Sequence, residues 1–139
     1  MNELKLKWRK REGGSNRTQR DFLDFEVDGV GLSTKFGDLI SGLGWAVTDW
    51  NDKAIRMLLL EESADFENNR RSLYVCPECG DLGCGAVSII VENVDGNIIW
   101  KDFAYQNNYS EDLTPYDDIG TFVFEKSKYE ILLRNQLSK

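Results

Sequence analysis

The sequence predicts an α+β fold in which an antiparallel β-sheet meander carries a few helices, including a C-terminal helix, on one face. Between residues 72 and 103, short runs rich in β-branched residues alternate with turn residues, which indicates strands joined by tight turns. From 126 to 137, apolar residues recur at helical spacing instead. We expect residues 1–139 to form a single globular domain, because this length is typical of one domain and no long linker divides it.

The amino-terminal part is predicted to be a basic strand and loop followed by a second strand. Apolar residues and lysines alternate from Leu4 to Trp8, the pattern of a half-buried strand. Residues 10–19 contain Gly-Gly-Ser-Asn and are expected to form a mobile basic loop. The second strand covers 22–27, and Asp28-Gly29 after it suits a tight hairpin turn.

Two segments of the middle region have weaker patterns. Ser33 or Thr34 is expected to cap a short helix that runs through Ile40. Residues 56–60 fit a helix or a strand equally well.

The carboxyl-terminal half predicts four strands and a final helix. The expected strands are 73–75, 86–92, 98–103 and 121–124, with Asp95-Gly96 as a hairpin turn. The helix is expected over 126–137, because the following side chains share one face: Tyr129, Leu132, Leu133 and Gln136, with Ile131 and Leu137 widening the stripe.

The charge is unevenly distributed along the chain. Residues 1–20 carry seven Lys or Arg and two Glu, a balance of +5, which leaves −12 for the remainder of a chain whose net charge is −7. An acidic body repels nucleic acid and anionic lipid, so neither is an expected partner, and it attracts basic proteins. No apolar run approaches a membrane span or a signal peptide, which predicts a cytoplasmic protein.

Three cysteines within nine residues are the sharpest chemical feature. Cys76, Cys79 and Cys84 lie on a glycine-rich stretch, and the chain contains no histidine. Cys-Pro-x-Cys-Gly resembles one half of a zinc ribbon, and a structural zinc ion held by the three thiolates is one hypothesis. Its fourth ligand would be Glu78, Asp81, water or a group from a partner chain. Cysteines that simply pack at strand ends, or a thiol-redox pair, are the alternatives.

Other catalytic chemistry is not indicated, and we expect a protein that is not an enzyme. Without histidine, a serine or cysteine nucleophile lacks its usual base. The pairs Gly29/Gly31 and Gly42/Gly44 lack the further glycine or lysine of a phosphate-binding loop, so they are expected to be turns.

Residues 102–118 combine carboxylates with tyrosines and contain no Lys or Arg. Tyrosines offer a large contact area at small entropic cost, and carboxylates attract Lys and Arg, so this composition favours a binding face for a basic protein. The expected contact residues are Asp102, Tyr105, Tyr109, Glu111, Asp112, Tyr116, Asp117 and Asp118. The alternative is that Phe103 and one or two tyrosines pack into the core while the acids are solvated.

Two runs of the sequence carry a resemblance. Tyr74 to Ala86 (YVCPECGDLGCGA) and Trp100 to Tyr109 (WKDFAYQNNY) are similar to an uncharacterised group of small bacterial proteins, some loosely labelled oxidoreductases. The resemblance covers about residues 20–125 and implies a shared fold, without bringing catalytic residues.

In general character the chain is also similar to immunity proteins of contact-dependent growth inhibition toxins. The functional expectation is therefore an immunity protein that occludes the active site of a basic toxin, such as a nuclease, through the 102–118 surface. The alternative is a small zinc-binding or thiol-redox protein that uses Cys76, Cys79 and Cys84.

Overall fold

The computed structural model describes residues 1–138; Lys139, the last residue of the expected domain, lies outside the described residues. The described chain contains two antiparallel sheets and two α-helices, which confirms the α+β class. The smaller sheet consists of β1 (Leu4–Arg11), β2 (Arg20–Val27) and β3 (Val30–Gly31), in that order. The expected hairpin turn after β2 is confirmed, since Val27 pairs with Val30.

The larger sheet contains the predicted meander. Its members are β4 (Ile40–Ser41), β5 (Arg71–Val75), β6 (Ala86–Val94), β7 (Asn97–Gln106), β8 (Thr114–Pro115) and β9 (Phe122–Glu125). Strands β4 to β8 follow one another across the sheet, and β9 pairs with the other end of the same edge of β7, opposite residues 97–100. The cysteine-containing segment 76–85 is thus the connection between β5 and β6.

The two helices are α1 (Thr48–Leu58) and α2 (Lys126–Arg134). Helix α1 resolves the ambiguity at 56–60, because its last turn ends there. The earlier turns of α1 were not predicted from the sequence. Trp50 is exposed and Asp52 is buried, the reverse of the burial expected for an apolar and a charged residue on an amphipathic helix. Helix α2 ends three residues before the predicted boundary, because the chain tightens after Arg134 into a turn in which the Leu137 N–H donates to the Arg134 carbonyl.

The helix expected from Ser33 or Thr34 to Ile40 is wrong. Only one 3₁₀ turn forms, over Leu32–Lys35, and the chain then enters β4. Both polar side chains that could have capped a longer helix are used elsewhere: the Ser33 hydroxyl donates to Asp24, and the Thr34 hydroxyl donates to the Gly31 carbonyl. Tertiary hydrogen bonds therefore override the local capping signal.

The core lies between the three-stranded sheet and one face of the six-stranded sheet. Phe25 of β2 meets Tyr74 of β5 and Trp100 of β7 edge-to-face, with ring centroids 5.9 and 5.4 Å apart. Tyr129 of α2 donates to the Leu58 carbonyl at the end of α1 and accepts from the Trp100 indole N–H. Both helices are thereby fixed to the aromatic centre of the core.

Among the described residues, no helix has both the length and the apolar character that a membrane crossing requires.

Candidate functional site

The three cysteines converge at the β5–β6 connection. Cys76 follows β5 directly, and Cys84 precedes β6 by two residues. Their Sγ atoms all lie within 4.8 Å of one another, and those of Cys79 and Cys84 are 3.2 Å apart. All three are free thiols; Cys76 is half-buried, and Cys79 and Cys84 are exposed. Three thiols this close can hold one metal ion.

Backbone geometry shapes this segment, which we call the cysteine turn (residues 76–85). The Gly80 N–H donates to the Cys76 carbonyl over 2.8 Å, and Gly80 has a φ of +69°, a conformation that residues with a Cβ rarely adopt. The Asp81 carboxylate accepts from the Gly83 N–H over 2.8 Å and begins the short 3₁₀ turn that presents Cys84. The spacing of the glycines is therefore what brings the third thiol back to the first two.

The electrostatics of the cysteine turn favour a bound cation. Burial opposes ionisation of Cys76, but hydrogen bonds from the backbone of Glu78 and Cys79 lower its pKa below the usual value. The contact with Cys79 and the charge of the neighbouring sulfurs raise the pKa of Cys84 to about 11. Ionising more than one of these thiols places like charges in one small volume, so a divalent cation would offset that repulsion and displace the thiol protons.

Neither carboxylate of the cysteine turn completes a four-ligand site. Glu78 accepts hydrogen bonds from the Thr18 hydroxyl, the Thr18 N–H and Arg11, which lower its pKa to about 2. The Asp81 carboxylate is engaged by the Gly83 N–H. Of the fourth ligands considered from the sequence, water and a group from another molecule remain.

The amino-terminal hairpin anchors the cysteine turn, and the loop expected at 10–19 begins two residues later, at residue 12. Strand β1 continues to Arg11, which is buried and pairs with Asp38 and Glu78. Arg20 donates to the Pro77 carbonyl over 2.9 Å and lies over the ring of Trp45, 4.5 Å from its centroid. Sequence reasoning missed these contacts, because the apolar alternation of β1 ends at Trp8 and is followed by three basic residues.

Two tyrosines of the expected binding surface pack on the cysteine turn. The Tyr105 hydroxyl donates to the Cys84 carbonyl over 3.3 Å. It also occupies the space that a Cβ on Gly85 would fill, and Gly85 has a φ of +94°, so no other residue fits there. A Cβ on Gly83 would lie 2.8 Å from the ring of Tyr109, which is itself 81% exposed. The metal-ligand candidates and the tyrosines thus form one surface.

A second group from the expected surface surrounds a hollow of about 410 Å³, lined in part by Asp102, Tyr116 and Asp117. Asp102 has a φ of +54° at an irregularity in the pairing of β6 and β7, and its carbonyl accepts from Arg70. Tyr116 is half-buried, and its ring centroid lies 5.0 Å from that of Phe36. Asp102 and Tyr116 therefore also have structural roles, as the packing alternative had suggested for the tyrosines.

The remaining expected contact residues are exposed: Glu111, Asp112 and Asp118. In the loop over residues 107–112, side-chain oxygens accept hydrogen bonds from backbone N–H groups. The side-chain oxygen Oδ1 of Asn107 accepts from the N–H groups of Tyr109 and Ser110, and the Ser110 hydroxyl accepts from the Asp112 N–H. An ordered loop presents its carboxylates at lower entropic cost than a free chain would.

No protein-family model matches the chain, and neither a curated protein nor a solved structure is detectably similar to it.

Proposed function

We propose that the cysteine turn binds one zinc ion through Cys76, Cys79 and Cys84. The observation that carries this proposal is the convergence of the three Sγ atoms within 4.8 Å on a glycine-bent turn whose backbone hydrogen bonds favour ionisation of Cys76. Thiolate ligands suit zinc, and a metal that joins the two ends of the turn would fix the connection between β5 and β6.

Metal analysis tests the site directly. Protein purified without chelator should contain one equivalent of zinc, and its three thiols should react with a thiol reagent only after the metal is removed. Cys79→Ser should bind zinc at least about tenfold more weakly, because one of three thiolates is lost. Ser63→Ala, at an exposed position outside the turn and its loop, is the control. Zinc-free protein with three freely titrating thiols would remove the proposal.

We further propose that the protein is a non-enzymatic binding module, most specifically a cytoplasmic immunity protein that covers the active site of a basic toxin, such as a nuclease. What supports this is the joining of the acidic segment to the cysteine turn through Tyr105 and Tyr109. Exposed tyrosines can anchor a partner, and the surrounding carboxylates can steer a cationic protein towards them. The metal would then hold the tyrosines in place rather than act on a substrate.

The partner experiment takes the products of the neighbouring genes and tests each basic protein domain among them. The purified chain should bind one of these domains and inhibit its activity, and the triple charge reversal Asp112→Lys, Asp117→Lys and Asp118→Lys should weaken binding at least about a hundredfold, because opposite charges become like charges. Reversal of Glu61, Glu67 and Glu125, which lie in other segments, controls for the change in net charge. Equal effects of the two triple variants, or binding to none of these domains, would refute the immunity assignment.

A thiol-redox function is the second candidate, and the 3.2 Å contact between the sulfurs of Cys79 and Cys84 is the observation that favours it. The two thiols would give two electrons and two protons to a small disulfide, which becomes two thiols, while the Cys79–Cys84 bond forms. That bond would remove two metal ligands, so the two functions exclude each other at any moment. Cys76→Ser separates the two candidates, because it removes one metal ligand and leaves the Cys79–Cys84 pair.

A further inference from the structure

We propose that the metal ion of the cysteine turn keeps its fourth coordination position for a neutral nitrogen donor from outside the chain, of the imidazole type that a histidine side chain provides. This inference rests on the proposed metal site and goes beyond it, since it makes the site an open centre that recognises a ligand. Structural zinc sites usually have four protein ligands, whereas sites with three protein ligands leave a position for an exogenous group.

The first argument is the ligand inventory. The chain has no histidine, and the cluster of potential ligands around this point contains three thiols and no carboxylate among the described residues. Glu78 is held by Thr18 and Arg11, and releasing it would leave the buried Arg11 with Asp38 as its single described carboxylate partner. Asp81 maintains the turn that presents Cys84. Recruiting Glu78 would therefore break contacts that anchor the turn, and the Asp81 carboxylate lies outside the cluster of the three thiols.

The second argument is access. Cys76 is half-buried at the end of β5, whereas Cys79 and Cys84 are exposed. An ion bound by all three is therefore reached from the side of Cys79 and Cys84. Tyr109 lies on that part of the turn, against Gly83, with most of its ring exposed. A residue of a protein bound to the tyrosine-bearing surface could approach the ion there.

The third argument is charge. A divalent ion with three thiolates has a charge of −1, so an anionic fourth ligand would raise the local charge to −2. The charge of Arg11 is already balanced by Asp38 and Glu78, and the cations beside the turn without a carboxylate partner in the described part of the chain are Arg20 and Lys53. The negative charges near the turn are those of Asp81 and of the acidic segment 102–118, which contacts the turn through Tyr105. A neutral imidazole nitrogen adds no charge, so it is favoured over a second molecule's thiolate or carboxylate.

Cobalt substitution makes the fourth position visible, because the visible absorption of Co²⁺ depends on its ligands. The full-length protein is loaded with one equivalent of Co²⁺ and titrated with imidazole, with 2-mercaptoethanol and with two five-residue peptides that have lysines around a central His or a central Ala. Imidazole should shift the absorption bands to a saturating limit. The histidine peptide should produce the same shift at about tenfold lower concentration in low salt, because the acidic segment attracts its lysines. The alanine peptide should leave the bands unchanged.

The outcomes separate this inference from the metal site itself. Cobalt that binds with thiolate absorption but does not respond to imidazole would overturn the open position and leave the three-cysteine site standing. Tighter binding of 2-mercaptoethanol than of imidazole would overturn the preference for a neutral donor. A histidine peptide no better than imidazole would overturn recognition of a protein side chain in favour of a small free ligand. Failure to bind cobalt or zinc at all would refute the proposed metal site together with this inference.

Discussion

At the scale of single residues, the buried carboxylate of Asp24 accepts hydrogen bonds from three different side chains. It lies on β2, is fully buried, and accepts hydrogen bonds from the Tyr74 hydroxyl at 2.5 Å, from Arg9 Nε at 2.7 Å and from both the hydroxyl and the N–H of Ser33. Burial raises the pKa of Tyr74 well above its usual value, so the phenol remains a neutral donor. Asp24 thus joins the two sheets and redirects the 32–35 segment.

Replacing Asp24 with asparagine should therefore destabilise the fold. The amide cannot accept all of these donors and leaves Arg9 without its buried partner, so we expect a loss of roughly 3 kcal/mol in the free energy of unfolding. Urea denaturation measures this loss. Asp21→Asn on the same strand, where the side chain is exposed, should change stability by less than about 0.5 kcal/mol. Similar midpoints for the two variants would contradict the role assigned to Asp24.

Asp38 gives the fold a pH dependence. Its hydrogen bonds from Arg11, with a further contribution from Arg17, hold its pKa below the usual 3.8. A lowered pKa in the folded state means that the unfolded chain binds the proton more readily, so this contribution is complete above pH 3.8 and is lost as the pH falls below it. Asp38→Asn should have a flatter stability profile in that acidic range, whereas the exposed Glu67→Gln should follow the parent profile. Parallel profiles for parent and Asp38→Asn would contradict this coupling.

At the scale of elements, the cysteine turn depends on β7 as much as on its own sequence. Tyr105 of β7 reaches across to Cys84, and the absence of a side chain at Gly85 makes room for its hydroxyl. Strand and turn therefore support each other through one contact. A substitution in β7 or in the turn at this contact should therefore change zinc binding by the three cysteines.

Gly85→Ala tests this dependence. Alanine at the backbone conformation of Gly85, φ +94° and ψ +147°, costs on the order of 1–3 kcal/mol, and its methyl group would also displace Tyr105. We expect lower stability and weaker zinc binding, measured by urea denaturation and by competition with a chelator. In the double variant with Tyr105→Ala, the alanine methyl group no longer collides with the tyrosine ring. The double variant should therefore regain the stability lost to that collision but not the stability lost to backbone strain at residue 85. Strictly additive effects of the two substitutions would show that the contact is not formed.

The same elements show where sequence reasoning succeeds and where it fails. Strands β5 to β7 were predictable because alternating apolar residues and turn dipeptides specify them locally. The predicted helix over 33–40 does not form, because the N–H and the hydroxyl of Ser33 donate to the side chain of Asp24, nine residues earlier in the sequence. Helix α1 was largely missed because its exposed Trp50 and buried Asp52 oppose the periodic pattern.

The candidate site divides in the same way. The spacing of the cysteines indicated a shared turn, and the Sγ distances agree with that expectation. The contact of Tyr105 and Tyr109 with the turn could not be predicted, since it depends on how β6 and β7 pair across the sheet. The contact by which Arg11 anchors the cysteine turn could not be predicted either, because its partner Glu78 lies 67 residues away in the sequence.

At the scale of the whole molecule, the basic and acidic parts of the sequence are not two separate charged bodies. Several cations of the amino-terminal segment are neutralised within the fold: Arg9 by Asp24, Arg11 by Asp38 and Glu78, and Arg17 by Asp38. The acidic segment 102–118 contains no Lys or Arg of its own. Asp102 lies near Arg70 and Lys101, whereas the exposed carboxylates of Glu111, Asp112 and Asp118 form no ion pair among the described residues and are available to the proposed partner.

This distribution predicts a salt-dependent encounter with the proposed cationic partner. The association rate should fall on the order of tenfold between low and physiological ionic strength, because screening shortens the reach of the carboxylates. Stopped-flow measurements over a salt series test it, with Lys7→Glu on the exposed face of β1 as a control that should retain the salt dependence. An association rate unaffected by salt would argue against steering by the acidic segment.

Hydrogen exchange with and without zinc tests most directly whether the metal organises the binding surface. Removal of zinc by a chelator should accelerate exchange in the cysteine turn and also at Tyr109 and Ser110, whose N–H groups are held by Asn107, while the core strand β2 stays protected. Identical exchange of residues 105–112 in the two states would contradict the account, because the tyrosine-bearing loop would then be independent of the thiols.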